Sequence, residues 1–293
     1  FYQFVRKLES MGETDHKAVF IDGTKLESRA GRYTFVWRKN VEKHLGKVKD
    51  KLKSMTGLTT IAAVRSMLEE EAKRTGEDRL DFVVVATPNN THYEIVKDII
   101  AHGFHIVCDK PVTFTSRESE ELKALAQEKD LLFGVSYSYA HYAILEQAKK
   151  MIADGVLGKI HTIAAEYPQE WVGLNTALRG KDGLTWRVDP AICGPSGVIA
   201  DIGTHVEYLI SKVTGLKPVR VLARLRSIPD YVPVESDAQV LIDYDNGAAG
   251  IFWTSFAMVG KSCCMKVRIY GDKGGMEWNA HDFMELRVDI AGQ

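Results

Sequence analysis

Asp81-Phe82-Val83-Val84-Val85-Ala86-Thr87-Pro88-Asn89-Asn90-Thr91-His92, residues 81–92, decides how the chain is read. A continuous apolar run rich in β-branched residues stands directly ahead of a polar turn. Such a run is what a strand covered on both faces looks like, as strands of parallel sheets are. The pattern continues outward from it. Thr91 is placed to cap a helix with Ile95, Val96, Ile99 and Ile100 inward and Gly103 as its stop. Residues 104–108 form the next buried strand. Thr115 with Glu118 reads as a capping box ahead of a helix carrying Leu122 and Leu125, and residues 131–135 form a third strand. Upstream, Val64, Met67, Leu68 and Ala72 have helical spacing within residues 61–73. This alternation predicts a parallel sheet with right-handed crossovers.

The pattern changes after about residue 140. A helix carries Ile144, Ala148, Met151 and Ile152 and stops near Gly155. The later segments alternate: residues 160–167, 218–228, 237–244, 248–257 and 264–270, with Asn246-Gly247 as a hairpin turn. The fold class read from this is α/β. A partial doubly wound, Rossmann-like parallel sheet is followed by an α+β domain with an open, mainly antiparallel sheet. The first sixty residues read differently. Val19-Phe20-Ile21 is a short apolar run ending in Asp22-Gly23, residues 33–37 are a second β-prone run, and residues 41–54 predict a Lys-rich helix. The expected domains are residues 1–57, 58–138 and 139–293.

Of the 293 residues 45% are hydrophobic and 26% charged, which supplies one or two cores of an ordinary globular protein. The net charge of -1 conceals an asymmetry. Residues 1–60 carry 13 Lys+Arg against 7 Asp+Glu, and the remainder 25 against 32, which suggests segments with different histories or partners. No apolar run approaches the roughly 18 residues of a membrane span. Cys108, Cys193, Cys263 and Cys264 form no C-x-x-C pair and are expected as free thiols in a reducing cytoplasm.

Three groups of residues carry chemistry. Thr87-Pro88-Asn89-Asn90-Thr91-His92 sits at the carboxyl end of a strand, where open α/β sheets bind ligands; a plain capped turn would look the same. Asp109-Lys110-Pro111 ends the next strand, and Pro111 holds Lys110 extended, so its ammonium can reach the same crevice or simply lie in a turn. The Gly-rich stretch from Gly194 to His205 runs into a helix with Leu209, Ile210 and Val213 on its apolar side. There Asp201 and His205 are four apart and share a face, as a proton-transfer pair or as a structural contact. No third ligand accompanies them, so no metal is expected.

In order and spacing, Val83, Thr87-Pro88-Asn89, His92, Gly103, Val107, Asp109-Lys110-Pro111, Gly158-Lys159, Trp186-Arg187 and Gly197 through His205 resemble the Gfo/Idh/MocA oxidoreductases. The resemblance spans roughly residues 61–278, including the Asn246-Gly247 hairpin and residues 271–278. It implies NAD or NADP bound in an N-terminal Rossmann domain, and a hydride moved to or from a carbon of a sugar, inositol or related polyol. By the same resemblance His205 is the general acid/base, Lys110 orients substrate and nicotinamide, and Asp201 positions substrate or His205. Thr87, Pro88, Asn89 and His92, with Asp109, Lys110 and Pro111, line the cofactor side; Asp109 replaces the usual Glu. Tyr137, Trp186, Arg187 and Asp189 belong to the substrate side. A homo-oligomer through the C-terminal sheet, no nucleic acid and no membrane complete the expectation.

Two departures accompany it. No G-x-G-x-x-G turn occurs anywhere in the chain, so the pyrophosphate-binding start and its strand are expected to be missing. A sheet without its first strands is expected to expose an apolar edge. In their place, residues 19–39 resemble part of the insertion-sequence DDE transposases, whose first metal-binding Asp falls on Asp22. One such Asp is not a nuclease. The alternatives to an active oxidoreductase are therefore a transposase-derived DNA-binding fragment or a catalytically dead fusion.

Overall fold

The computed structural model describes the backbone of residues 18–22 and all of residues 61–76, 79–263 and 265–292. The expected second run at residues 33–37 and the helix at 41–54 lie outside the described residues. The chain divides into two compact units, Phe1–Val135 and Ser136–Gln293. The boundary falls at the end of the third expected strand, three residues before the position read from sequence.

In the first unit four strands, β1 (Ala18–Asp22), β2 (Phe82–Ala86), β3 (His105–Cys108) and β4 (Phe133–Val135), lie in that order and all parallel. Among the described residues three helices accompany them: α1 (Ile61–Ala72), α2 (His92–Ala101) and α3 (Ser116–Glu128). Val83, Val85, Ile106 and Cys108 pack against Val64 and Leu68 of α1, Ile95, Val96, Ile99 and Ile100 of α2, and Leu122 and Ala126 of α3. All three helices contribute to this one core, as helices do when parallel crossovers step in one direction across a sheet. Phe82, Val84 and Val107 are buried on the other face, so β2 is covered on both sides as its composition requires.

Local signals are realised with one exception. Thr115 and Glu118 make both halves of the capping box. Gly103 ends α2 with φ +74°, the left-handed region that costs glycine nothing. Thr91 does not cap through its side chain. A 3-10 turn at Asn89–Thr91 precedes α2, and the Thr91 hydroxyl turns back to Thr87 Oγ1 at 2.7 Å and Pro88 O at 2.8 Å.

The apolar edge expected along β2 is also corrected. Val19, Phe20 and Ile21 pair in parallel with Val83, Val84 and Val85. Backbone pairing asks only for an extended run of the right length, and Val-Phe-Ile supplies one.

In the second unit the sheet order is β11-β10-β9-β5-β8-β7-β6, with β5 (Ile160–Pro168), β6 (Pro218–Arg226), β7 (Asp237–Tyr244), β8 (Ala249–Ser255), β9 (Lys266–Gly271), β10 (Gly274–Asn279) and β11 (Arg287–Ile290). Only the β5–β8 pair is parallel. Helices α4 (Ala143–Ala153), α5 (Trp171–Arg179) and α6 (Thr204–Thr214) complete it. Ile163, Val240, Phe252, Val267 and Ile269 bury one face against Leu145, Val206, Leu209 and Ile210. The other face stays open. There Leu222, Leu241 and Ile251 align across β6, β7 and β8 and are exposed, while Lys266, Arg268 and Glu277 make an ion-paired patch. No helix among the described residues is long and apolar enough to cross a membrane.

Candidate active site

The two sets of residues singled out in the sequence fall in different units. In the first unit, the turns after β2 and β3 lie at the same carboxyl end of the parallel sheet, with Asp22 in register with Ala86. Asp109 N donates to Val85 O at 2.8 Å and Asp109 Oδ1 accepts from Lys110 N at 2.9 Å. The Lys110–Pro111 peptide bond is cis. His92 is buried, with Nε2 at 2.8 Å from Thr87 O and Nδ1 at 2.8 Å from Pro111 O. The sequence placed His92 on the cofactor side. In the structure its ring ties the two turns together, with both nitrogens engaged by backbone carbonyls. Thr87, Asn89 and Lys110 remain half-buried beside it. A hydroxyl, a carboxamide and an ammonium on two joined turns fit the hydroxyl and amide groups of a nicotinamide riboside.

In the second unit, a π-helical turn, Ile199–Gly203, leads into α6. Such turns widen a helix and recur at functional sites. Glu235 fastens the approach to it: Oε1 accepts from Ser196 Oγ at 2.6 Å, Gly197 N at 2.9 Å and Ile199 N at 3.2 Å. Gly197 is required by close approach, since a Cβ there would sit 2.5 Å from Glu235 O.

His205 opens α6 and is only 7% exposed. Three tyrosine rings meet it edge-on: Tyr137 at 5.4 Å, Tyr139 at 5.2 Å and Tyr167 at 6.4 Å between centroids. The Tyr167 hydroxyl donates to Tyr139 Oη at 2.9 Å. Burial pushes both phenols above the ordinary tyrosine value, and for Tyr167 the bond to Tyr139 adds to it. They therefore act as neutral hydrogen-bonding groups. Asp201, largely shielded, has Arg187 Nη1 at 3.9 Å from Oδ2, and the Arg187 guanidinium stacks on Trp186 at 4.8 Å. The structure thus gathers Tyr137 with His205 and Trp186 and Arg187 with Asp201. The Asp189 carboxylate caps the helical turn Pro190–Cys193, accepting from Ala191 N at 3.0 Å. Tyr139, Tyr167 and Tyr208 were missed. Tyr139 repeats Tyr137 at a spacing of two, a signal available in the sequence; Tyr167 and Tyr208 arrive from far along the chain with none.

Among the described residues no three His, Cys, Asp or Glu side chains cluster as metal ligands. Cys108, Cys193 and Cys263 are free thiols.

Known proteins resemble the chain across both segments. Residues 42–137 match the model of an oxidoreductase family with an NAD-binding Rossmann fold. Residues 145–277 match the GFO/IDH/MocA C-terminal domain. The first match begins well before residue 61, so residues 42–57 lie inside it. The uncharacterized oxidoreductase YfiI of Bacillus subtilis is 36% identical over 231 residues, covering 78% of this chain and 58% of that protein. Levoglucosan dehydrogenase of Pseudarthrobacter phenanthrenivorans is 27% identical, over 71% of this chain and 58% of its own length. The crystal structure of an inositol dehydrogenase homolog complexed with NAD+ from Azotobacter vinelandii superposes with a TM-score of 0.72 at 35% identity, covering 78% of this chain and 59% of that one. The chain thus spans somewhat under three fifths of the length of these relatives. Over residues 42–137 and 145–277 it belongs to the Gfo/Idh/MocA family of oxidoreductases with an NAD-binding Rossmann fold.

Proposed function

We propose that this chain carries the reaction centre of an NAD(P)-dependent oxidoreductase acting on a secondary alcohol or ketone of an inositol, sugar or related polyol. The observation that carries the reading is His205, an imidazole enclosed by three tyrosine rings at the start of a helix. A bound nicotinamide would supply the hydride acceptor or donor. His205 takes the hydroxyl proton on oxidation and returns it on reduction. Tyr139 and Tyr167, kept neutral by burial, offer hydroxyls for a polyol. Asp201 and Arg187 present an acceptor and a donor for its further hydroxyls. Lys110, with Thr87 and Asn89, orients the nicotinamide ribose and the reacting oxygen. The aligned Leu222, Leu241 and Ile251 support a homo-oligomer through the open sheet face.

The test is nicotinamide-absorbance turnover on a panel of inositols and aldoses. His205→Asn is expected to lower kcat roughly 100- to 10,000-fold. A variant as active as the parent sinks the assignment.

The missing G-x-G-x-x-G motif favours a second reading, in which these 293 residues bind the pyrophosphate poorly and turn over slowly or not at all. Fluorescence titration with NADH decides it: a micromolar Kd refutes weak binding. The transposase resemblance before residue 42 stands as a proposal of the same rank, and salt-dependent binding of duplex DNA in a filter assay tests it.

A further inference from the structure

His205, Tyr208 and Lys212 follow one another along one face of α6 at helical spacing. All three meet the segment Tyr137–His141. His205 faces the rings of Tyr137 and Tyr139. Tyr208 stacks on Tyr137, with centroids 4.6 Å apart and 26° between planes, and its hydroxyl lies 3.5 Å from His141 Nε2. Lys212, whose side chain is only 15% exposed, ends the series. Its ammonium donates to Ala140 O at 2.8 Å, to His141 Nδ1 at 2.9 Å and to Glu146 Oε1 at 2.6 Å. An ammonium has three donors and no acceptor, and here each donor has a fixed partner.

We propose that Lys212 is a positioning residue: it pins the Tyr137–His141 segment lengthwise onto α6 and so holds the tyrosine wall around His205. Tyr139 lies in a short 3-10 turn, Ser138–His141, and Tyr137 immediately precedes it; the backbone of this turn reaches α6 through the Ala140 carbonyl that Lys212 grips. The ammonium's effect is visible on both titrating partners. Its hydrogen bond holds Glu146 below the usual carboxylate range, and after burial it is the next cause keeping His141 below the usual imidazole value. A neutral His141 accepts at Nδ1 and leaves its Nε2 proton toward Tyr208. Loss of the ammonium frees the turn, and the two tyrosines drift from His205. The inference rests on His205 as the proton-handling group but not on turnover.

The histidine ring signals in a proton–carbon NMR spectrum provide the test, with His205 assigned by its loss in His205→Asn. Lys212→Met is expected to move the His205 signals, because the aromatic rings that shift them have moved. Lys212→Arg keeps the donors and is expected to restore the parent spectrum. Glu146→Gln leaves the grip on Ala140 and is expected to lower the thermal midpoint slightly without moving His205. If Lys212→Met does not fold, Lys212→Gln takes its place in the same comparison. In turnover, Lys212→Met is expected to lower kcat on the order of 10- to 100-fold with KM nearly unchanged. The proposal is overturned if the neutral variant lowers the midpoint, as Glu146→Gln does, yet leaves the His205 signals in place. The spectrum needs no cofactor, so it reads Lys212 even if the oxidoreductase reading fails.

Discussion

Replacing Glu235 probes how the π-helical turn is held. In Glu235→Ala three donors lose their acceptor: the Ser196 hydroxyl and the Gly197 and Ile199 amides, at 2.6, 2.9 and 3.2 Å. A hydrogen bond to a charged group contributes about 1.5–3 kcal/mol, and a buried donor left unmade costs about 1–3 kcal/mol. The three are not additive, since one oxygen serves them all and the half-buried site admits water to part of it. A total of about 3 kcal/mol follows, which for a unit of this size lowers the midpoint by roughly 6–12 °C. Glu235→Gln keeps a carbonyl oxygen in place of Oε1 and loses only the charge, so about 1 kcal/mol is expected. Urea and thermal unfolding of the two variants measure the difference. The reasoning fails if alanine costs under about 1 kcal/mol, or if glutamine costs as much as alanine.

Other perturbations follow from the same packing. Gly197→Ala drives a Cβ to 2.5 Å from Glu235 O and 2.6 Å from Val234 Cγ2, so an overpacking cost of about 1–3 kcal/mol is expected in urea unfolding. Ile163→Ala, in the fully buried centre of β5, is expected to cost about 2–5 kcal/mol by the same measurement. Asp237 gives a pH dependence. Burial raises its pKa, but hydrogen bonds from Trp253, Arg226 and Gln239 prevail and hold it below the ordinary 3.8. A depressed carboxylate stabilises the fold above its unfolded value, and that contribution disappears as pH falls through the folded one. Stability measured from neutral pH into acid below pH 3.8 is therefore expected to fall less steeply in Asp237→Asn than in the parent.

Much of this was legible in one dimension because its causes are local. Val83 to Val85 announced a strand buried on both faces by composition, and Thr115 with Glu118 announced a helix start because a capping box closes within four residues. Asn246-Gly247 announced a hairpin because Gly247, at φ +86°, adopts a conformation few other residues tolerate. Thr91 misled because a hydroxyl that can cap can equally bond back to Thr87, and the 3-10 turn made that contact the nearer one. Asp189 also caps the helical turn Pro190–Cys193, a second use of a carboxylate beside a proline that the sequence equally allowed.

The order of apolar and polar residues by itself determined most strands of the two sheets and several helix limits, since each depends on neighbours within about a dozen positions; the family was legible through a resemblance carried by motifs spread along residues 61–278. Lys110, Asp201 and His205 stood out by their place at the ends of strands and helices. Only the tertiary structure decided what surrounds them: β1 along the edge of β2, His92 joining two turns, Glu235 under the π-helical turn, and the rings of Tyr139 and Tyr167 against His205. Those contacts join residues tens of positions apart, and a contact across such a separation is set by how whole elements pack. No periodicity within either segment encodes it.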